Sequence, residues 1–183
     1  MAVPSDEDAS YVIGMGMAEA LQHAAPTLER ARYAELGARF RAHYLAAQDD
    51  IVLFEGTVDM LHSLRARGHL LAVATGKSRR GLDEALASVQ LRGLFHATRT
   101  ADETASKPDP RMLLELMAEL GTGPGRTLMI GDTTHDLGLA ANAGTHSVAV
   151  SYGAHRHDGF GGFETRHIAH SVADLHAWLL EHG

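Results

Sequence analysis

Thr127-Leu128-Met129-Ile130-Gly131-Asp132-Thr133-Thr134-His135-Asp136 is a short apolar run that ends in Gly-Asp, with a second Asp four residues later. A run of this length that stops at a tight turn before a helical pattern reads as a buried strand handing over to a helix. The handover sets two carboxylates at the carboxyl end of a strand, where open α/β sheets build their ligand sites. A hard cation such as Mg²⁺ takes oxygen ligands of this kind. A turn Asp followed by a helix-capping Asp would spell the same letters, so the reading depends on what lies upstream.

Two upstream segments bear on it. Leu70-Leu71-Ala72-Val73-Ala74-Thr75-Gly76-Lys77-Ser78 is again an apolar run ending in a hydroxyl residue and Gly, followed by a helical pattern (Leu82, Ala85, Leu86). A Thr at a strand end, beside free N–H groups at a helix start, is a natural phosphate contact, or merely the cap of the next helix. In Ser106-Lys107-Pro108-Asp109-Pro110, two prolines pin Lys107 in an extended stretch just before a helix. A lysine held at the mouth of an acidic site can neutralise a phosphoryl oxygen.

Working outward, strands alternate with helices from Gly56 onward. The patterns predict helix 57–67, strand 70–74, helix 79–88, a short strand near 96–99, helix 110–120, strand 127–131, helix 135–143, strand 146–150 and a final helix over 172–181. Gly144 is a helix-stop signal. The alternation predicts a doubly wound, mostly parallel α/β sheet. Before residue 50 the chain reads as two helices, 6–24 and 27–47, separated at Pro26. Ser5-x-x-Asp8 reads as a helix N-cap with an acidic first turn. Gly14-Met15-Gly16-Met17 interrupts the first helix.

Composition narrows the function classes. Hydrophobic residues make up 45% of the 183, enough for a core, and there is no Cys, so neither a disulfide framework nor a thiol nucleophile is available. A formal charge of −7 argues against non-specific nucleic-acid binding. No apolar run approaches a membrane span, and the N-terminus lacks a basic-plus-apolar signal pattern; a cytoplasmic location is expected. The Lys77–Arg80 cluster reads as a solvated helix start, with steering of an anionic substrate as the alternative. The 13 histidines, among them His23, His43, His62, His69 and the His155-Arg156-His157 pair, lack the carboxylate or Cys company of a metal site and read as surface or loop residues. His135 reads as an ordinary helix-start residue, with a supporting place just behind the two carboxylates as the alternative its position offers.

Taken together and in this order, the three segments resemble the haloacid dehalogenase-like superfamily of hydrolases, clearly over about residues 52–150. The spacing Gly-Asp-x-x-x-Asp resembles its phosphatase branch, which implies a Mg²⁺-dependent phosphatase of a small phosphorylated metabolite, with phosphoglycolate the leading candidate. The resemblance implies that Thr75 and Gly76 bind the transferring phosphoryl group and that Lys107 balances its charge. It also implies that Asp132 is a direct Mg²⁺ ligand, and that Asp136 completes the acidic metal cluster and holds Lys107. Residues 1–50 would be a small helical cap and 51–183 the α/β core. Gly14–Met17 would be a stretch that approaches the substrate in phosphoglycolate-phosphatase-like caps, or a plain helix break. Tyr152-Gly153-Ala154 resembles the loop bordering this family's site.

The family's first motif, a hydrophobic strand ending in Asp-x-Asp-x-Thr, has no counterpart. Asp6-Glu7-Asp8 follows a run too short and Pro-broken for a buried strand, and Asp49-Asp50 precede an apolar run (Ile51–Phe54) instead of ending one. The expectation is a chain that begins too late to carry the nucleophile. Losing a covalent nucleophile costs on the order of 10⁵–10⁶ in rate, roughly 7–8 kcal/mol of barrier, so this chain is expected to have little or no activity. A non-catalytic degenerate domain that binds phosphate or a protein partner is the alternative; a phosphomutase would use the same motifs. The missing strand belongs between those ending at Thr75 and Asp132. Its absence orphans roughly five backbone groups on each neighbour at about 1–3 kcal/mol for each one buried. A gapped sheet, unstable alone and open to self-association, is therefore expected.

Overall fold

The computed structural model describes residues 3–47 and 51–183, so Asp49 and Asp50 lie outside the described residues. Three helices come first: α1 (Asp6–Tyr11), α2 (Met17–Ala24) and α3 (Tyr33–Ala46). There follow α4 (Thr57–Ala66), β1 (Ala72–Thr75), α5 (Arg79–Ser88), β2 (Ala97–Thr100), α6 (Arg111–Leu120), β3 (Leu128–Gly131), α7 (Thr134–Ala143), β4 (His146–Val150), β5 (His167–Ala169) and α8 (Val172–His182).

The strands form two parallel sheets, β1-β2 and β3-β4-β5. No backbone hydrogen bond among the described residues joins β1 to β3. The two sheets nevertheless share their helical layers. On one face α6 and α7 supply Met112, Leu113, Leu116, Met117, Leu139 and Ala140, which pack against Ala97 and Ala74 of one sheet and Met129 of the other. On the opposite face Met60 and Leu64 of α4 and Leu175 and Leu179 of α8 pack against Val148, Val150 and Ala169, with Leu71 and Leu128 beside them. The result is a doubly wound α/β layer with an interruption between β1 and β3. A central parallel strand is normally covered on all sides. Here Ile130 on β3 is 37% exposed, whereas Val148 and Ala149 on β4 are at 0%.

Several elements depart from the sequence expectation. The first expected helix is two, because the chain turns at Gly14 (φ +94°) and restarts with Gly16 as the N-cap of α2. The second begins as a 3₁₀ turn, Arg30–Arg32, and becomes α3 only at Tyr33. Strand β5 was not anticipated: His167-Ile168-Ala169 is too short and mixed to show a period. It pairs in parallel with β4. The Ser5 cap is as read, its hydroxyl accepting the Asp8 N–H at 3.1 Å. Helix α8 brings Trp178 between His167 and His182, with centroids 5.8 and 4.7 Å apart and rings nearly parallel.

Candidate active site

Helix α7 starts immediately after β3, and its first turn builds the centre of the site. Thr133 is the N-cap and Asp136 the third helical residue, and each side chain bonds the other's backbone N–H. This reciprocal arrangement satisfies two helix-start donors at once. Asp136 Oδ2 also accepts the Thr133 hydroxyl at 2.7 Å, and its Oδ1 receives Lys107 Nζ at 2.5 Å. Both charged side chains are about 5% exposed (6% for the lysine, 5% for the aspartate). A pair this buried holds together because each ion is the other's solvation; either one alone would be costly. Lys107 arrives not on the extended stretch expected but in a tight turn before α6, closed by the Asp109 N–H donating to the Ser106 carbonyl at 3.1 Å, and Pro108 is held by α7 through the Asn142 side chain, which donates to its carbonyl at 2.9 Å.

Asp132 stands between β3 and this turn. Its Oδ2 accepts the Ala154 N–H at 2.8 Å and its carbonyl accepts the His155 N–H at 3.1 Å. The Tyr152–Ala154 loop therefore borders the carboxylate. Two glycines make the packing possible: a Cβ on Gly131 would collide with the Asp136 side chain, and one on Gly153 with that of Asp132. Both oxygens of Asp136 are taken by protein donors, whereas one oxygen of Asp132 carries none. Among the described residues no group of three or more His, Asp or Glu side chains gathers as a metal cage.

Across the interruption, Thr75 ends β1. Its hydroxyl accepts the Lys77 N–H at 3.2 Å, so the hydroxyl sits in the turn and not in the sheet. Directly over Gly76 lies the turn between α1 and α2: a Cβ on Gly76 would fall 2.5 Å from the Gly14 carbonyl oxygen and closer still to that of Met15. The same Gly14 abuts the Thr133 side chain, and the Gly16 N–H donates to Ser106 Oγ at 2.7 Å. Thus Gly14–Gly16 reaches the ends of both β1 and β3, and one residue, Gly14, touches both. The helix break is present, and the stretch lies against the turns that follow β1 and β3.

Three residues near the site escaped sequence reading or were misjudged. His135 is buried, not an ordinary helix-start residue, and its Nε2 meets the Tyr11 carbonyl at 2.7 Å. A carbonyl only accepts, so Nε2 carries the proton. Burial, opposed by this hydrogen bond, pushes the imidazole below its ordinary value of 6.5. His155 is tied down as well: Nδ1 accepts the Thr134 N–H at 3.1 Å and Nε2 meets the same Tyr11 carbonyl at 3.2 Å. Tyr11 packs its ring against both imidazoles, at 4.9 and 6.0 Å between centroids. Together they dock the end of α1 beside the acidic turn. The densest His-x-His pair was the available signal, but its partner, a backbone carbonyl, leaves no trace in a sequence. Asp6 and Asp8 lie exposed on α1, with Asp8 facing Ser5 and His23. Neither is a nucleophile placed for attack.

The site thus joins a fixed Lys–Asp pair, a carboxylate with a free oxygen and a strand-end hydroxyl. A family model described as haloacid dehalogenase-like hydrolase matches residues 1–150. The chain is 35% identical over 137 residues to the probable phosphatase IndB of Dickeya dadantii (strain 3937), covering 74% of this chain and 59% of that protein. It is 33% identical over 153 residues to the phosphoglycolate phosphatase of Caulobacter vibrioides, covering 80% of this chain and 65% of that one. The matches thus span less than two thirds of either relative. In three dimensions the chain resembles a hydrolase from Pseudomonas syringae with a TM-score of 0.89 at 20% identity, over 98% of this chain and 84% of that one.

Proposed function

The chain belongs to the haloacid dehalogenase-like hydrolases, in their phosphoglycolate-phosphatase-like branch, and from that membership we propose that its site binds the phosphoryl group of a small phosphorylated metabolite together with Mg²⁺. The observation that carries the reading is the buried Lys107–Asp136 pair facing the β3 end. Lys107 keeps N–H groups beyond the one given to Asp136, and these can meet a phosphoryl oxygen. Asp136 is then the positioning residue for Lys107. Thr75 Oγ1 and the Gly76 turn meet the phosphoryl group from the other side.

Mg²⁺ commonly keeps several waters and takes only one or two carboxylates besides the phosphate. Asp132, with its free oxygen, fits one such position; Asp136, whose oxygens are engaged, fits the lysine-holding role better than the ligand role. When bound, the ion would neutralise charge on the phosphoryl oxygens. Residues 1–50 act in this reading as a helical cap whose Gly14–Gly16 turn closes the mouth.

Cleavage through a covalent intermediate needs a carboxylate placed to attack phosphorus. Among the described residues, none beyond Asp132 and Asp136 is found in the site just described. The proposal is therefore phosphate binding with little or no turnover by this chain, and the same observation favours the second reading, a non-catalytic phosphate- or partner-binding domain. The unpaired edges of β1 and β3 further support self-association by strand pairing, which sedimentation would detect. A Mg²⁺-dependent phosphatase assay on this chain and on an N-terminally extended version tests the reading. Activity in the extended form alone is expected; equal activity in both would overturn the assignment of the missing nucleophile.

A further inference from the structure

We propose that Lys77 forms a second anion subsite beside the phosphoryl position, so that the site selects phosphorylated molecules with another negative charge a few bonds from phosphorus. The inference rests on the phosphoryl-binding reading above. Lys77 belongs to the same turn as Thr75, because its N–H donates to that hydroxyl. Its side chain leaves the turn toward α3, where Nζ donates to the Tyr44 hydroxyl at 2.8 Å and stands 4.2 Å from the ring centroid. The sequence reading of a solvated helix start therefore does not hold for this residue, which is half-buried.

What sets Lys77 apart is its partner. Arg79 is matched by Glu103 and Asp83, and Arg80 and Arg41 by Glu84. Among the described residues Lys77 has no carboxylate partner; it rests on a neutral phenol. A Tyr ring holds a cation weakly at a partly exposed place, by about 0.5–1 kcal/mol, and does not cancel its charge. The lysine is thus fixed in position with its charge unspent, in a chain of net charge −7. A carboxylate or second phosphate on the substrate would meet it with a charge-assisted hydrogen bond. A neutral tail of equal size would gain nothing.

Phosphoglycolate and ethyl phosphate are near-isosteres that differ in a carboxylate against a methyl group. Calorimetric titration of the full chain with each, in Mg²⁺ buffer, tests the proposal. The unaltered protein is expected to bind phosphoglycolate about tenfold more tightly, roughly the worth of one charged hydrogen bond. In Lys77→Gln the ratio of the two affinities should fall toward one, phosphoglycolate losing more than ethyl phosphate, and Lys77→Arg should restore most of the preference. Thermal melting of each variant checks that it folds. A preference that survives in Lys77→Gln overturns the role of Lys77 alone. If the unaltered chain binds neither compound, nor inorganic phosphate, the phosphoryl-site reading falls and this inference falls with it.

Discussion

The two strand–turn–helix units that face each other across the interruption have the same local plan and different means of support. In residues 128–143 the turn is locked from within: Thr133 is 1% exposed, and Asp136 accepts from the Thr133 N–H, the Thr133 hydroxyl and Lys107. In residues 72–88 the corresponding cap, Ser78, makes one exposed bond to the Gly81 N–H. That unit is fastened by the β1–β2 ladder, by buried Leu82 and by ion pairs at the surface, such as Arg79 with Glu103. The lesson is that the acid–lysine half of the site is preorganised by a reciprocal helix cap and by a buried lysine delivered from the segment between β2 and α6. The hydroxyl half depends on whatever lies alongside β1.

The contrast can be broken by substitution. The largest effect is expected for Asp136→Ala, which strands a buried lysine charge; chemical denaturation should show a loss of about 3–5 kcal/mol. A loss below 1 kcal/mol would mean the pair is not buried in solution. Next, Gly153→Ala drives a methyl into Asp132 within the rigid half and should cost roughly 2–3 kcal/mol. Gly76→Ala places its methyl against the Gly14 and Met15 backbone, which must shift as a unit, and should also cost roughly 1–3 kcal/mol by undocking the α1–α2 turn. A Gly76→Ala loss below about 0.5 kcal/mol would mean that the turn does not rest on β1 in solution. The helix caps sharpen the same point: Thr133→Ala should cost about 2 kcal/mol and Ser78→Ala about 1 kcal/mol.

The smallest effect is a titration. Hydrogen bonds from Arg79, outweighing burial, hold the Glu103 carboxyl at about 2 against an ordinary 4.5. A depressed carboxyl contributes stability that is complete above the unfolded value and is lost as pH falls through the folded one. This support should therefore fade between about 4.5 and about 2. Carbon-detected NMR of Arg79→Met should find Glu103 moved back toward 4.5, and high salt should do part of the same. An unaltered Glu103 that already titrates near 4.5 would remove the ion pair from the account.

Much of this was readable beforehand, and the reasons are local. The β3 and β1 runs, the Pro-pinned Lys107 and the Gly144 stop are short-range signals, and the residues they named do converge: Lys107 meets Asp136 across 29 positions. The interruption between β1 and β3 matches the gap expected where no Asp-x-Asp-x-Thr strand could be read. What escaped were features decided by distant backbone. Strand β5 exists because β4 offers an edge. His135 and His155 matter because the Tyr11 carbonyl arrives from α1. Lys77 is held by a tyrosine 33 positions away. No periodicity or spacing encodes such partners.

The chain has a single tryptophan, and it lies in the stack between His167 and His182, on the β5–α8 side of the molecule. Its fluorescence is consequently a one-sided reporter, weighted toward β4, β5, α4 and α8. Melting curves recorded by emission would describe one plate of the fold, while circular dichroism averages over both. The separation between the two curves would be a direct gauge of how loosely the plates are coupled.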